Sequence, residues 1–263
     1  METPNALVLQ FPGTNCQIET GLALGQAGFT VTRAHVNLLL TGKLHLDEFH
    51  LLAIPGGFNY GDDIASGKVA ANMLIYLLRE QVREFAKDRL IIGICNGFQT
   101  IVKAGLLPAI DGMFELQATL TYSDIGHYYC NWIKLKNVNE SKCIYTKGID
   151  YIDLPMAHGE GKFMVKDQSI LDAMYANDQV VFKYVLPNGE PANGKFPFNP
   201  ANTTDDITGV CDPSGRIFGM MPHPERYLLK ENHPRWTSGD GSDSYNGNLI
   251  FKNARDFVVQ NLL

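Results

Sequence analysis

The sequence predicts an α/β protein: a doubly wound, mostly parallel sheet with helices on both faces, joined to a smaller, mainly antiparallel β section. Three observations predict this. Short apolar runs alternate with helical patterns from Ala6 to Gly105. Each of three such runs stops at a chain-turning signal, namely Pro12-Gly13, Pro55-Gly56-Gly57 and the Gly93/Gly97 pair around Cys95. Beyond about Gly112 the helical period fades, and aromatic, strand-like segments replace it.

Ala6–Phe11 reads as the first strand, ended by Pro12-Gly13, with Thr14 or Asn15 available to cap a helix running to about Ala27. Gly28 closes that helix, and Phe29–Ala34 is a second strand. Phe49–Ile54 is a third, followed by a glycine-rich loop from Gly56 to Gly67. Leu74, Leu77, Leu78, Val82 and Phe85 form one apolar helical stripe. Leu90-Ile-Ile92 is too short and too β-branched for a helix and reads as a buried strand. Phe98, Ile101, Val102 and Gly105 then recur at helical spacing.

In the second half, Gln117–Thr121 and Tyr129–Leu135 are strand-like. Ile149–Asn188 carries strands at 163–165 and 180–185 and a short helix near Ile170–Ala176. Pro187–Asp206 is a long loop, and Thr208–Cys211 with Arg216–Met221 forms a hairpin around Asp212-Pro-Ser-Gly215. No linker or repeat divides the chain, so residues 1–263 are expected to form a single domain, with a polar loop or tail at about 229–247 and a final helix at about 249–262.

Composition narrows the function. The chain has 263 residues, 45% of them hydrophobic, enough for a sizeable core. A net charge of −6 without a Lys/Arg cluster argues against nucleic-acid binding. The start, Met1-Glu-Thr-Pro-Asn5, lacks the basic and apolar regions of a signal peptide, and no stretch is long enough to span a membrane. The five cysteines, at 16, 95, 130, 143 and 211, make no C-x-x-C pair, which reads as reduced and cytoplasmic. Cys and His show no metal-ligand spacing, so no metal is expected.

The chemistry centres on Cys95. A strand running into a helix through Gly93-Ile-Cys-Asn-Gly97 places a thiol at the apex of a nucleophile elbow. Glycines remove the Cβ atoms that would clash there. The helix N-terminus favours the thiolate, the attacking species. The same letters also suit a small buried cysteine ending a strand.

Such a nucleophile needs a base and a group to orient it. Two His/Glu pairs are available: Met221-Pro-His-Pro-Glu225 and Ala157-His-Gly-Glu160. Pro222 and Pro224 hold His223 out of a helix, directly after an apolar strand, and Glu225 can then fix one imidazole tautomer. His158 and Glu160 lie among glycines, which suit close packing or a flexible loop better than a fixed base. Attack on an amide also needs donors for an oxyanion; the N–H groups of Asn96 and Gly57 are the candidates. Gly61–Val69 looks like a phosphate loop at a glance, but its spacing is off by one residue. Val69 stands where Mg²⁺ needs a hydroxyl, and Asp62 and Asp63 would repel phosphate. In a doubly wound sheet the strand ends at Phe11-Pro-Gly, Pro55-Gly-Gly and Cys95 should share one crevice.

Together, Phe11-Pro-Gly-Thr-Asn-Cys16, Pro55-Gly-Gly-Phe-Asn-Tyr-Gly-Asp62, Gly93-Ile-Cys-Asn-Gly-Phe-Gln99, Ala157-His-Gly-Glu-Gly-Lys-Phe163 and Met221-Pro-His-Pro-Glu-Arg226 resemble the signatures of class I glutamine amidotransferases. More narrowly they resemble the glutaminase-subunit branch of phosphoribosylformylglycinamidine synthase. The resemblance implies a flavodoxin-like sheet and a triad of Cys95, His223 and Glu225. It also implies an oxyanion and glutamine site around Gly57, Phe58, Asn96 and Gln99. Glutamine would be hydrolysed through a cysteine thioester. Ammonia would pass to an ATP-dependent synthetase subunit, which makes the amidine of formylglycinamide ribonucleotide in purine biosynthesis. A small accessory subunit is a further possible partner. The chain itself would need no cofactor, with ATP and Mg expected on the synthetase. Another amidotransferase branch or Cys hydrolase sharing the elbow, and a non-catalytic binding module, are the alternative readings.

Overall fold

The structure, a computed structural model, describes residues 3–139, 142–238 and 247–263. A nine-stranded sheet forms the centre. Its strands are β1 (Asn5–Gln10), β2 (Thr30–His35), β3 (Leu51–Ile54), β4 (Leu90–Ile94), β6 (Tyr129–Asn137), β7 (Tyr151–His158), β9 (Val180–Val185), β10 (Ile207–Cys211) and β11 (Ile217–Met220). They lie in the order β2-β1-β3-β4-β11-β10-β9-β6-β7. From β2 to β11 all neighbours are parallel, and from β11 to β7 all are antiparallel. The antiparallel section thus extends the parallel sheet by continuous hydrogen bonding. β5 (Ala118–Thr121) and β8 (Lys162–Val165) pair separately as a two-stranded antiparallel sheet.

Helix α1 (Gln17–Ala27) carries the chain from β1 outward to β2. Helices α3 (Lys68–Tyr76) and α4 (Arg79–Phe85) carry it the opposite way, from β3 to β4. Right-handed crossovers of opposite direction put their helices on opposite faces. The last helix, α7 (Asn248–Asn261), packs on α1, and α5 (Asn96–Lys103) packs on α3. The short helices α2 (Val36–Leu40) and α6 (Gln168–Ala176) complete the set. Strands β3, β4, β10 and β11 are buried along their whole length, as expected where both faces are covered.

Several expectations change in detail. Neither Thr14 nor Asn15 caps α1; Cys16 is its N-cap, without a side-chain bond. Thr14 is engaged elsewhere, its Oγ1 accepting from Phe11 N–H at 3.0 Å and donating to Asn59 Oδ1 at 2.6 Å. The single stripe around Leu74–Phe85 is two helices. The N–H groups of Leu77 and Leu78 both donate to Met73 O, which breaks the helical ladder; Leu74, Leu78, Val82 and Phe85 stay buried while Leu77 turns outward. Strand β7 is additional to the strands expected between Ile149 and Asn188, and Pro155 sits in its middle. Proline is tolerated there because β7 is an edge strand. Its alternation is nonetheless clean, with Ile152, Leu154, Met156 and His158 buried. In α7, Ile250, Phe251, Ala254 and Val258 are the buried face, and Asn261 is exposed. Of the polar segment at 229–247, residues 229–238 form two short 3₁₀ turns, Lys230–Asn232 and Trp236–Ser238, and 239–246 lie outside the described residues. No helix among the described residues is long and apolar enough to cross a membrane.

Candidate active site

The turn between β4 and α5 has the geometry expected of an elbow. Cys95 holds φ +53° and ψ −109°, a conformation an L-residue adopts only when its surroundings force it. The forcing groups are visible. Cys95 N–H donates to Met220 O at 2.8 Å, continuing the β4/β11 ladder past the strand end. A Cβ on Gly97 would lie 1.8 Å from Ile54 O, and one on Gly93 would lie 2.7 Å from Gly97 O. Only glycine lets strand and helix approach this closely. The Cys95 thiol sits at the first turn of α5 and donates weakly to Ala157 O at 3.6 Å.

His223 arrives from the end of β11, anchored by its N–H to Pro155 O of β7 at 2.8 Å. Its Nδ1 meets Glu225 Oε1 at 2.6 Å, with both residues almost fully buried. Burial opposes a charged imidazole here. The Glu225 carboxylate, then the Cys95 and Cys16 sulfurs, outweigh it, so the His223 pKa stands well above its ordinary value. Among the described residues His223 Nε2 has no hydrogen-bond partner, and neither has Glu225 Oε2. Gly56 is the spacer of this group. A Cβ there would lie 2.9 Å from His223 Cε1, 3.1 Å from Cys16 Sγ and 3.3 Å from Cys95 Cβ. The two cysteines and the imidazole therefore crowd around one α-carbon at the end of β3.

Cys16 and Arg226 also belong to this group. Arg226 Nη2 lies 3.1 Å from Cys16 Sγ and 3.3 Å from Glu19 Oε1. Burial raises the Cys16 pKa, against the lowering pull of His223 and Arg226. In the sequence Cys16 and Arg226 close the Phe11–Cys16 and Met221–Arg226 motifs, and neither letter by itself signals a role. The available signal was the expectation that the strand end at Phe11-Pro-Gly would open onto the same crevice as Cys95.

The oxyanion candidates stand at the right turn. Gly56 O accepts from Cys16 N–H at 3.1 Å and from Asn15 N–H at 3.4 Å. In a trans peptide the next N–H, that of Gly57, points the opposite way. Gly57 has φ +149°, and a Cβ on it would meet Asn15 N at 2.7 Å, so glycine is required. Gly57, Phe58, Cys95, Gln99, His158, Glu160 and His223 all line one small cavity of about 60 Å³. That is room for about two water molecules, enough for the amide end of a small substrate. Phe58 and Tyr128 pack with ring centroids 6.0 Å apart at this cavity, and both are partly exposed.

Gln99 and Asn96 are fixed by a buried polar network. Gln99 Nε2 donates to Glu160 O at 2.5 Å, and its Oε1 accepts from Asn96 Nδ2 at 2.9 Å. Asn96 also donates to Asp62 Oδ1 at 2.9 Å and accepts from Asn59 N–H at 3.0 Å. Glu160 Oε2 accepts from Ser66 N–H at 3.0 Å and lies 3.7 Å from Lys103 Nζ, which donates to Ser66 O at 2.6 Å. Burial pushes the Lys103 pKa down, although Glu160 and Asp62 pull it back up. The second His/Glu pair is therefore not a pair in space. Glu160 serves Ser66 and Lys103, while His158 faces Ser123 Oγ at 3.4 Å. Burial first, then the charge of His223, lowers the His158 pKa to about 4, so His158 is neutral at physiological pH.

A larger cavity, about 1110 Å³, lies elsewhere, between β6 and α7, lined by Lys136, Asn137, Asn253 and Phe257 among others. Size alone would favour it. Among the described residues that line it, no nucleophile is paired with a base, so the chemistry selects the smaller site.

The whole chain is similar to known proteins. Residues 3–258 match the family model of the CobB/CobQ-like glutamine amidotransferase domain. The phosphoribosylformylglycinamidine synthase subunit PurQ of Dehalococcoides mccartyi is 43% identical over 263 residues, covering 99% of this chain and 100% of that protein. PurQ of Methanococcus maripaludis is 39% identical over 262 residues, covering 98% and 94%. Among solved structures, a chain of PurLQS from Thermotoga maritima superposes with a TM-score of 0.73 at 27% identity, covering 98% of this chain and all of that one. The chain belongs to the CobB/CobQ-like glutamine amidotransferase family.

Proposed function

We propose that this chain is the glutaminase subunit of phosphoribosylformylglycinamidine synthase, with Cys95 as nucleophile, His223 as proton carrier and Glu225 as the group that orients and charges it. One observation carries the assignment of roles. The strained cysteine at a helix N-terminus and, far downstream in the sequence, the neighbouring imidazole and carboxylate of His223 and Glu225 converge at one strand-end crevice.

Cys95 attacks as the thiolate, its proton passing to His223, whose charged imidazolium the buried Glu225 carboxylate favours. The thiolate adds to the glutamine carboxamide carbon, and the developing oxyanion is held by the Gly57 and Asn96 N–H groups. His223 then gives its proton to the departing nitrogen, leaving ammonia and a γ-glutamyl thioester. The neutral imidazole next takes a proton from water, and the hydroxide displaces Cys95 to yield glutamate. Gln99, held between Asn96 and Glu160, lines the space for the substrate. Ammonia is a nucleophile only while unprotonated, so transfer to a synthetase subunit through a closed route preserves its reactivity. That subunit, with a small accessory subunit completing the complex, would use ATP and Mg to convert formylglycinamide ribonucleotide to its amidine, in the cytoplasm. The test is a pull-down with the synthetase followed by assays with glutamine and with ammonia. Cys95→Ala should lose the glutamine-dependent reaction and keep the ammonia-dependent one. Retention of both would remove Cys95 from the mechanism.

A further inference from the structure

The second His/Glu motif, Ala157-His-Gly-Glu160, brings a buried carboxylate to the site, and no step of the reaction uses it. Lys103 is likewise a buried cation without a chemical task. We propose that Glu160 and Lys103 are a positioning pair for glutamine: together they hold the loop 58–67 against the pocket, with Gln99 fixed to the same anchor. The effect on glutamine rests on the reading of this pocket as a glutaminase site; the brace itself does not.

The loop needs holding. Tyr60, Asp62 and Ile64 have φ of +56°, +54° and +68°, the left-handed region that such residues occupy only when their surroundings impose it. Ile64 is exposed at the tip, whereas Ser66, two residues on, is buried. Phe58, Asp62 and Ser66 line the cavity together with Cys95. The restraints come from other parts of the chain. Glu160 Oε2 accepts from Ser66 N–H at 3.0 Å, and Lys103 Nζ donates to Ser66 O at 2.6 Å. Both backbone polar groups of one loop residue are thus held by the two partners of one ion pair, 3.7 Å apart. Nearer the start of the loop, Asn96 holds Asn59 N–H and Asp62 Oδ1. Glu160 does a second thing. Its carbonyl accepts from Gln99 Nε2 at 2.5 Å, so one residue ties Gln99 and the far end of the loop to the same point. A shift of Glu160 moves two walls of the pocket together.

The charges balance only as a set. Glu160 and Asp62 both favour the charged form of Lys103 against its burial. Without Glu160 a buried ammonium loses its closest carboxylate; without Lys103 the carboxylates of Glu160 and Asp62 repel each other across the loop. Either loss favours a loop that swings out to water. The elbow is held separately, by Met220 O and by the packing of Gly97 on Ile54 O. Binding of glutamine should therefore suffer while the chemical step persists.

The experiment uses the full chain, alone and in complex with the synthetase. In the complex, Glu160→Gln and Lys103→Met should each raise KM for glutamine by about tenfold or more, with kcat changed by less than about threefold. The variant carrying both substitutions, which removes both charges, should raise KM no further than the worse single variant. A purely structural defect would instead lower kcat with the folded fraction and leave KM in place. Hydrogen exchange on the chain alone reads the brace without turnover: amides of residues 59–66 should exchange about tenfold faster or more in each single variant than in the wild type. An unchanged KM, a fall in kcat in place of the rise in KM, single effects that multiply in the combined variant, or unchanged exchange would each overturn the pair's role. If exchange rises as expected but the wild-type complex hydrolyses no glutamine, the brace stands and the glutaminase reading of the pocket falls.

Discussion

Glu225→Gln changes one charge at the base while keeping the size of the side chain. In the wild type the carboxylate sits 2.6 Å from His223 Nδ1, and both groups are buried. Its charge overcomes the burial that would otherwise strip the proton from the imidazole. Glutamine at 225 can still accept a hydrogen bond but no longer offsets that burial, so the His223 pKa should fall below its ordinary value. Neutralising the acid that orients and charges the imidazole of a nucleophile–His–acid triad costs up to about four orders of magnitude in turnover, and a loss of that order is expected in glutamine hydrolysis. The pH dependence gives the sign. The alkaline limb of kcat/KM reports loss of the His223 proton, so it should move to lower pH in the variant. Stability follows the same rule. The raised pKa contributes stability that is fully present below the ordinary histidine value and is lost as pH rises through the folded value. Steady-state glutaminase assays across pH read the effect, with ammonia-dependent synthesis as the control for folding. A loss smaller than tenfold, or an alkaline limb that does not move, would refute the coupling between Glu225 and His223.

Four further outcomes are expected. Gly97→Ala would force a Cβ against Ile54 O at 1.8 Å, so strand and helix must part; overpacking costs about 1–3 kcal/mol and backbone clashes more, and a thermal melt should show a Tm lower by roughly 6 °C or more. His223→Ala should cost at least a hundredfold more glutaminase rate than His158→Ala, because Glu225 orients His223 whereas His158 faces Ser123; the reverse ranking in the same assay would move the base to His158. Protonation of His158 is resisted in the fold, its pKa lowered to about 4, so stability should be lost as pH falls from about 6.5 toward 4. Neutral His158→Gln should flatten that acid slope in urea titrations, and an unchanged slope would show that another group carries it. Glu160→Ala leaves Lys103 buried without its carboxylate, which should cost about 3–5 kcal/mol in the same titrations.

Period and punctuation placed β1, β3, β4, α1 and α5 within a few residues, because each buries a contiguous apolar face and ends beside Gly or Pro; β2 was placed as closely, though only Ala34 of it is buried. The same logic failed at β7, where Pro155 argues against an interior strand and only the position at the sheet edge makes it admissible. It failed again at Leu77. An apolar residue at helical spacing promised burial, but a break in the backbone ladder set its direction.

At the site, local letters were enough for the elbow and for the stiff Pro-His-Pro segment. Glycine and proline act through backbone sterics within a few residues, and those can be read without a fold. They could not show which His/Glu pair is a pair. His223 and Glu225 bond directly, whereas Glu160 turns to Ser66 and Lys103, although both spacings are the same. Nor could they show that Cys16, 79 positions before Cys95, shares its imidazole. Hydrogen bonds and ion contacts form between side chains that the sheet brings together, and their energies depend on burial, which belongs to the folded molecule. The chain's letters determined where the sharp turn must be and what stands at its apex; the packed sheet alone decided which imidazole, carboxylate and second thiol surround it.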